Sequence, residues 1–321
     1  MLKWMLGIGA SLLLLSRPEA AANGAREAMA QWYYAIAPSL FPFMALMPLL
    51  TCAEAASIYE HLLGGIMKTV YDLPGAAAPA LVAGMLAGSP AGCMAARNMA
   101  LRAPMTRGQF QRLAIGCCGL SPAFIISSVG AGVLGSAEWG HVLLRSQIAT
   151  QMLLPLLLRP FFRDKSPVEG KGEIEGVRAV SAILNVCGLM MLFGALSAAI
   201  GSMTTRSVGR ISLSVMDINS GVRIIGEMSL PMRHKLVLLS ALTGFGGLCV
   251  CLQNMMALRN MVRPSIFIVG RMAAVLLSAA ITVLQTSQLS VKCRINPLGL
   301  TCLFVCLMLI PVLYRLKRTV S

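Results

Sequence analysis

Three short stretches of this 321-residue chain could hold a solute through their backbone without any catalytic group. They are Gly88-Ser89-Pro90-Ala91-Gly92, then Gly119-Leu120-Ser121-Pro122, then Gly244-Phe245-Gly246-Gly247 with Gln253 and Asn254 close behind. All three lie inside apolar runs. Proline removes a backbone donor and clashes with the preceding turn, and glycine weakens a helix by up to about 1 kcal/mol. Each stretch is therefore expected to break a helix and free several N–H and C=O groups. Freed backbone at membrane depth survives only against protein or along a polar cavity, and broken helices of this kind hold solutes near the bilayer midplane.

The chemistry on offer suits an anion. A half-helix N-terminus presents free N–H groups and a positive dipole end, worth about 0.3–1 kcal/mol when exposed and up to about 2 when partly buried. Ser89, Ser121, Gln253 and Asn254 could add donors, with Gly88, Pro90, Gly92, Pro122, Gly246 and Gly247 shaping the breaks. Arg145 and Arg271 stand inside apolar segments and are the candidate counter-charges, because a charge in the membrane is costly. Each has a structural alternative: the arginines can snorkel to an interface, the serines can bond back to their own helix, and the amides can join helices.

Composition fixes the class of elements that must position these residues. Hydrophobic residues make up 57% of the chain and charged residues only 12%, and the mean hydropathy is +0.76. That is a polytopic membrane protein in contact with the lipid bilayer. The net charge of +15 arises from single basic residues between apolar runs, a pattern for loops facing anionic lipid and not for nucleic acid. Of ten cysteines, Cys117, Cys118, Cys187, Cys249, Cys251, Cys302 and Cys306 lie in apolar segments and read as buried free thiols. None of the three histidines stands near the Cys302, Cys306 pair, so no metal site is expected. His61, His141 and His234 form no catalytic set with Ser, Asp or Glu at helical spacing, and neither an enzyme nor a cofactor is expected.

Along the chain, residues 1–16 read as a retained signal-anchor, with a cleaved signal peptide as the alternative. Residues 32–52 open on Trp32, Tyr33 and Tyr34, an interfacial belt, and carry Pro38, Pro42 and Pro48, which imply a kinked span. Residues 54–73 have the period of an interfacial helix with one apolar face. Arg97, Arg102, Arg107 and Arg112 then mark a cytoplasmic surface around a turn, with Thr106 as an N-cap. The breaks flanking that turn fit either a helical hairpin that enters and leaves on one side or two kinked spans. Residues 138–162 form a plainer helix. The polar run 164–178 divides the chain into a first membrane half, 1–163, and a second, 179–321. In the second half, residues 206–231 read as a short re-entrant or surface hairpin in which Asp217 or Glu227 caps a helix or relays protons. Spans at 235–256, 265–284 and 297–314 follow, then the basic tail of Arg315, Lys317 and Arg318. The expected fold is all-α, about eight helical segments with broken or re-entrant helices. GMLAGSPAGCMAARNM and GFGGLCVCLQNMMALRNM, both glycine-interrupted and both ending in Arg-Asn-Met, suggest two repeat-related halves.

An ordered set of motifs resembles the YlbJ-like sporulation integral membrane proteins of the nucleoside-recognition or Gate-domain superfamily. It comprises Pro38-Ser39-Leu40-Phe41-Pro42-Phe43, Leu73-Pro74-Gly75, Gly88-Ser89-Pro90-Ala91-Gly92, Ser121-Pro122-Ala123-Phe124-Ile125-Ile126, and Phe245-Gly246-Gly247-Leu248 with Gln253. The resemblance implies a multi-pass carrier-like protein of a bacterial membrane, a forespore membrane included. It also implies passage of a small organic anion, dipicolinic acid being the best-understood cargo of that family. Ser89 and Ala91 replace the family's Tyr and Thr, and Cys118 to Ser121 replace its Asn-Asn-Ser-Gly, so the substrate stays open. A nucleoside-type carrier is one alternative. The other is a non-transporting assembly protein of the spore envelope that packs against itself or other membrane proteins.

Overall fold

The computed structural model describes residues 2–168, 179–203, 213–259 and 261–287; the expected last span at 297–314 and the basic tail lie outside them. Thirteen α-helices are numbered here: α1 Leu2–Ser16, α2 Pro18–Gln31, α3 Ala37–Leu50, α4 Ala53–Ile66, α5 Ala78–Leu86, α6 Ala91–Arg102, α7 Arg107–Gly116, α8 Ala137–Leu157, α9 Ala179–Met203, α10 Ile218–Glu227, α11 Met232–Phe245, α12 Gly247–Ala257 and α13 Pro264–Ser287. No strand occurs among the described residues, and the all-α membrane architecture stands. Four helical stretches are long and apolar enough to cross a bilayer: Pro18–Leu50, Ala179–Met203, Met232–Ala257 and Pro264–Ser287. The first joins α2 to α3 through a π-helical turn, Trp32–Ile36, and absorbs Pro38, Pro42 and Pro48 without ending.

Hydrogen bonds define the two ends of the molecule. Asp72 meets Arg112 at 3.1 Å and Arg159 at 3.8 Å, and its carbonyl accepts from Gln109 Nε2 at 2.8 Å. The chain before α5, the start of α7 and the end of α8 therefore share one end, called the basic end. Helix α8 has 21 residues and rises about 1.5 Å per residue, or about 31 Å, which puts Ser136 at the far end. Thr106 caps α7 with the reciprocal Gln109 bond that a capping box provides.

The expected choice between a hairpin and kinked spans resolves into one of each. Helices α5 and α6 form a hairpin that enters from the basic end, turns at residues 87–90 and returns to Arg102. Helix α7 also starts at the basic end and breaks at residues 117–121. It then continues through Phe124–Val133 to the far end, making a discontinuous full crossing. The second assembly runs in the opposite sense. Helix α10 reaches from the level of Asp217 outward to the far end, where the Gly226 carbonyl accepts from Lys235 Nζ at 2.7 Å. Helices α11 and α12 form the broken crossing beside it, interrupted at Gly246. The two stretches that end in Arg-Asn-Met thus belong to elements of different kind, a hairpin tip and a broken span. A Pro/Gly run records that a helix stops and does not record whether the chain turns back.

Small residues set the packing. A Cβ on Gly84 would fall 2.7 Å from Cys117 Cα and O, and one on Gly92 would fall 2.5 Å from Cys117 O and Gly84 Cα, so three backbones meet where the hairpin crosses α7. Buried hydroxyls tie α8, α11 and α13: Ser146 to Thr282 at 2.7 Å, Thr282 to Ser240 at 2.7 Å, and Ser240 to Ser278 at 2.6 Å. Helix α4 buries Ala55, Ala56 and Tyr59 against the rest of the fold while Leu62 and Ile66 stay exposed. The seven described cysteines are free thiols.

Candidate functional site

The breaks meet at one level. Gly88 takes φ +75°, and Gly246 and Gly247 take +87° and +80°, left-handed backbone that suits glycine and ends a helix sharply. Ser89 N–H donates to Gly119 O at 2.6 Å, which joins the hairpin tip to the break after α7. Asn254 Nδ2 donates to Ser89 Oγ at 3.0 Å and joins the same tip to α12. A Cβ on Gly247 would lie 3.1 Å from Ile218 N, so the start of α10 rests on the break between α11 and α12.

Each freed backbone group needs a partner. Helix α8 supplies two amides one turn apart. Gln147 Nε2 donates to Leu120 O at 2.8 Å while its Oε1 accepts from Leu120 N at 3.0 Å, satisfying both orphan groups of that residue. Gln151 Nε2 donates to Gly84 O at 3.1 Å, a carbonyl whose helical partner is lost when α5 stops. Arg271, only 4% exposed, donates Nε to Phe245 O at 3.2 Å, Nη1 to Cys118 O and Nη2 to Gly244 O. Its guanidinium neutralises the negative C-terminal ends of α7 and α11 together. The expectation that Arg271 faces solute is corrected here: the carbonyls that the breaks strand claim the cation.

Around this level lie three cavities. The largest, about 480 Å³, opens toward the far end and is lined by Glu27, Gln31, Phe124, Ser128, Ser197, Asp217, Asn219 and Arg223 among others. A narrow one of about 50 Å³ follows, lined by Ser89, Leu120, Ser121, Phe124, Val186, Met190, Asp217, Ile218, Asn219, Cys249 and Gln253. The third, about 260 Å³, faces the basic end and is lined by Pro90, Met94, Ser181, Asn185, Val186, Gln253 and Arg259. Phe124, Asp217 and Asn219 are shared by the first two, and Val186 and Gln253 by the last two, so the cavities stand in series. One face of α9, from Ser181 to Gly201, borders all three. Twenty residues of helix rise about 30 Å, the thickness of a hydrocarbon core.

The narrow cavity lies where four helices begin. Ser89 precedes α6, Ser121 precedes the helix that contains Phe124, Asp217 precedes α10, and Cys249 is in the first turn of α12. Their dipoles point positive ends at the cavity, and one anion already stands there. Asp217, 7% exposed, caps α10 by accepting from Ser220 N at 3.0 Å and Ser220 Oγ at 3.1 Å, and Asn219 Nδ2 lies 3.4 Å from its Oδ1. Gln31 Nε2 bonds Asn219 Oδ1 at 2.8 Å and ties α2 to the same corner.

The expected site residues divide accordingly. Ser89, Ser121 and Gln253 line the narrow cavity, and Pro90 and Gln253 line the one toward the basic end. Gly88, Gly92, Gly246 and Gly247 shape the backbone around them, and Asn254 holds Ser89. Pro122 starts its helix without lining any of the three, and Arg145 sits half-buried on α8 away from them, its Nε without a hydrogen-bond partner among the described residues. Phe124, Asn219 and Gln31 were not anticipated, and Asp217 was foreseen only as a cap or relay. The signal for α10 was present in Asp217 with Ser220 three residues on, followed by Ile218, Val222 and Ile225 at apolar helical spacing.

The chain is similar to the sporulation integral membrane protein YlbJ of Bacillus subtilis (strain 168), with 22% identity over 289 residues, 74% of this chain and 70% of that protein. No family model and no solved structure matches it. The likeness to YlbJ thus extends along most of the chain, and the chain is a multi-pass membrane protein.

Proposed function

We propose that this protein is a carrier that passes a small organic anion across a bacterial membrane during sporulation, along the α9 face. The observation that carries the reading is the narrow cavity: four helix starts converge on it, and larger cavities lie on either side. A constriction between two wider spaces is the shape of a carrier caught closed at its midplane site. The converging N–H groups and dipoles favour a carboxylate, and a flat aromatic dicarboxylate such as dipicolinic acid is the cargo the family likeness favours. Discontinuous crossings and an α5–α6 hairpin that enters against the sense of α10 support the two-assembly carrier plan, with halves at 1–163 and 179–321.

Uptake of pyridine-2,6-dicarboxylate into vesicles that hold the purified full-length chain tests it. Gln253→Leu fills the constriction and is expected to lower uptake at least about tenfold while leaving the thermal midpoint near that of the parent. Ser89→Leu should lower uptake and the midpoint together, because it also removes the acceptor of the buried Asn254 amide. Uptake no greater than that of protein-free vesicles overturns the reading and favours the assembly role.

A further inference from the structure

At the basic end, away from the α9 tract, a recess of about 460 Å³ opens where the start of α7, the chain after α8 and the start of α13 meet. Arg107, Arg163 and Arg263 line it from these three elements, and Asp164 is the one acid among its lining residues. That carboxylate is already engaged. It accepts from Ser166 Oγ and from Ser166 N at 2.9 Å, and those bonds first, then Arg107 and Arg263, hold its carboxyl below the usual carboxylate range. Among the described residues none of the three guanidiniums has a hydrogen bond or an ion pair within 4 Å, although all are exposed and converge on one space. Arg112 and Arg159 nearby are different, because Asp72 holds both.

The recess is also amphiphilic. Phe162 and Ile266 form part of its wall, and Phe161, 78% exposed, stands at its rim. Ile268 and Val269 continue an exposed apolar surface along the next turn of α13. Guanidinium forks match phosphate oxygens in pairs, aromatic side chains favour the headgroup level, and basic pockets between membrane helices take anionic lipid heads. We propose that this recess binds the phosphate of an anionic phospholipid from the leaflet at the basic end, with its acyl chains along Phe161 and the exposed face of α13.

The test uses the full-length protein in nanodiscs of phosphatidylcholine containing a minor fraction of phosphatidylglycerol, with lipids retained after detergent extraction counted by native mass spectrometry. The parent is expected to retain phosphatidylglycerol in preference to phosphatidylcholine. R107Q, R163Q and R263Q should each lower that retention about fivefold, and the triple variant should abolish the preference. R26Q and R233Q, at the far end, should leave it unchanged. A triple variant that elutes as a single species and keeps the parent's preference overturns the proposal. So does an equal loss in R26Q, which would mean surface charge alone, and so does displacement of the lipid by millimolar inorganic phosphate, which would mean a site for soluble anions.

Discussion

The two broken crossings solve the same problem with different chemistry. After α7, the stranded groups of Leu120, and of Gly84 in the adjoining hairpin, are taken by neutral amides, Gln147 and Gln151, from a helix that packs alongside. Between α11 and α12, the stranded carbonyls of Gly244 and Phe245 are taken by a cation, Arg271, and the helix start opposite by a carboxylate, Asp217. Amides satisfy a break without adding charge, so the first break can be closed in apolar surroundings. Charges satisfy a break and also set a field, so the second puts a carboxylate, Asp217, on the wall of the shared cavity. Arg271 reaches across to Cys118 O and makes the two breaks one mechanical unit.

The largest effect should come from removing that link. Arg271→Met strands three carbonyls and is expected to destabilise the protein by about 3–5 kcal/mol, with Arg271→Lys recovering only part because an ammonium cannot span the same three acceptors. A thiol-reactive fluorophore that reports exposure of Cys93 and Cys117 on heating in detergent would measure it. Gln147→Leu should cost about 2–3 kcal/mol by the same assay, one orphan donor and one orphan acceptor at Leu120. If it cost as much as Arg271→Met, the distinction between the two breaks would collapse. Gly92→Ala forces a methyl against Cys117 O and Gly84 and should cost about 1–3 kcal/mol. Asp217→Asn is expected to change stability least, within about 0.5 kcal/mol, since Asn caps helices about as well as Asp. It should nevertheless raise uptake of the dicarboxylate about two- to tenfold by removing a like charge from the narrow cavity. Reduced uptake would mean that the carboxylate takes part in passage.

Much of this was legible in the sequence for physical reasons. Proline and glycine inside apolar runs cannot hide in a helix, so all three breaks stand out, and Ser89, Ser121 and Gln253, which flank breaks, line the narrow cavity. The direction of the chain after a break was not legible, since the Gly88 and Gly246 turns use the same residue types for a hairpin and for a crossing. Arg271 misled because a lone charge in an apolar run has the same signature whether its partner is a solute or a backbone carbonyl. Phe124 and Val186 read as ordinary apolar helix residues, and only the fold brings them to a constriction.

The contact between α2 and α9 limits how such a carrier could work. A Cβ on Gly194 would fall 2.7 Å from Gly24 O and 2.8 Å from the Ala28 methyl, so the two helices touch backbone to backbone with only alanine methyls beside the contact. Backbones this close resist rotation of one helix against the other, because a turn drives a Cβ into the partner's backbone. In the proposed carrier the α9 wall of the tract is therefore anchored to the longest candidate span among the described residues and behaves as a fixed post. Opening toward either end must then come from the opposite wall, where the hairpin tip at Ser89 and the inner end of α10 at Asp217 approach from opposite sides like two independent latches.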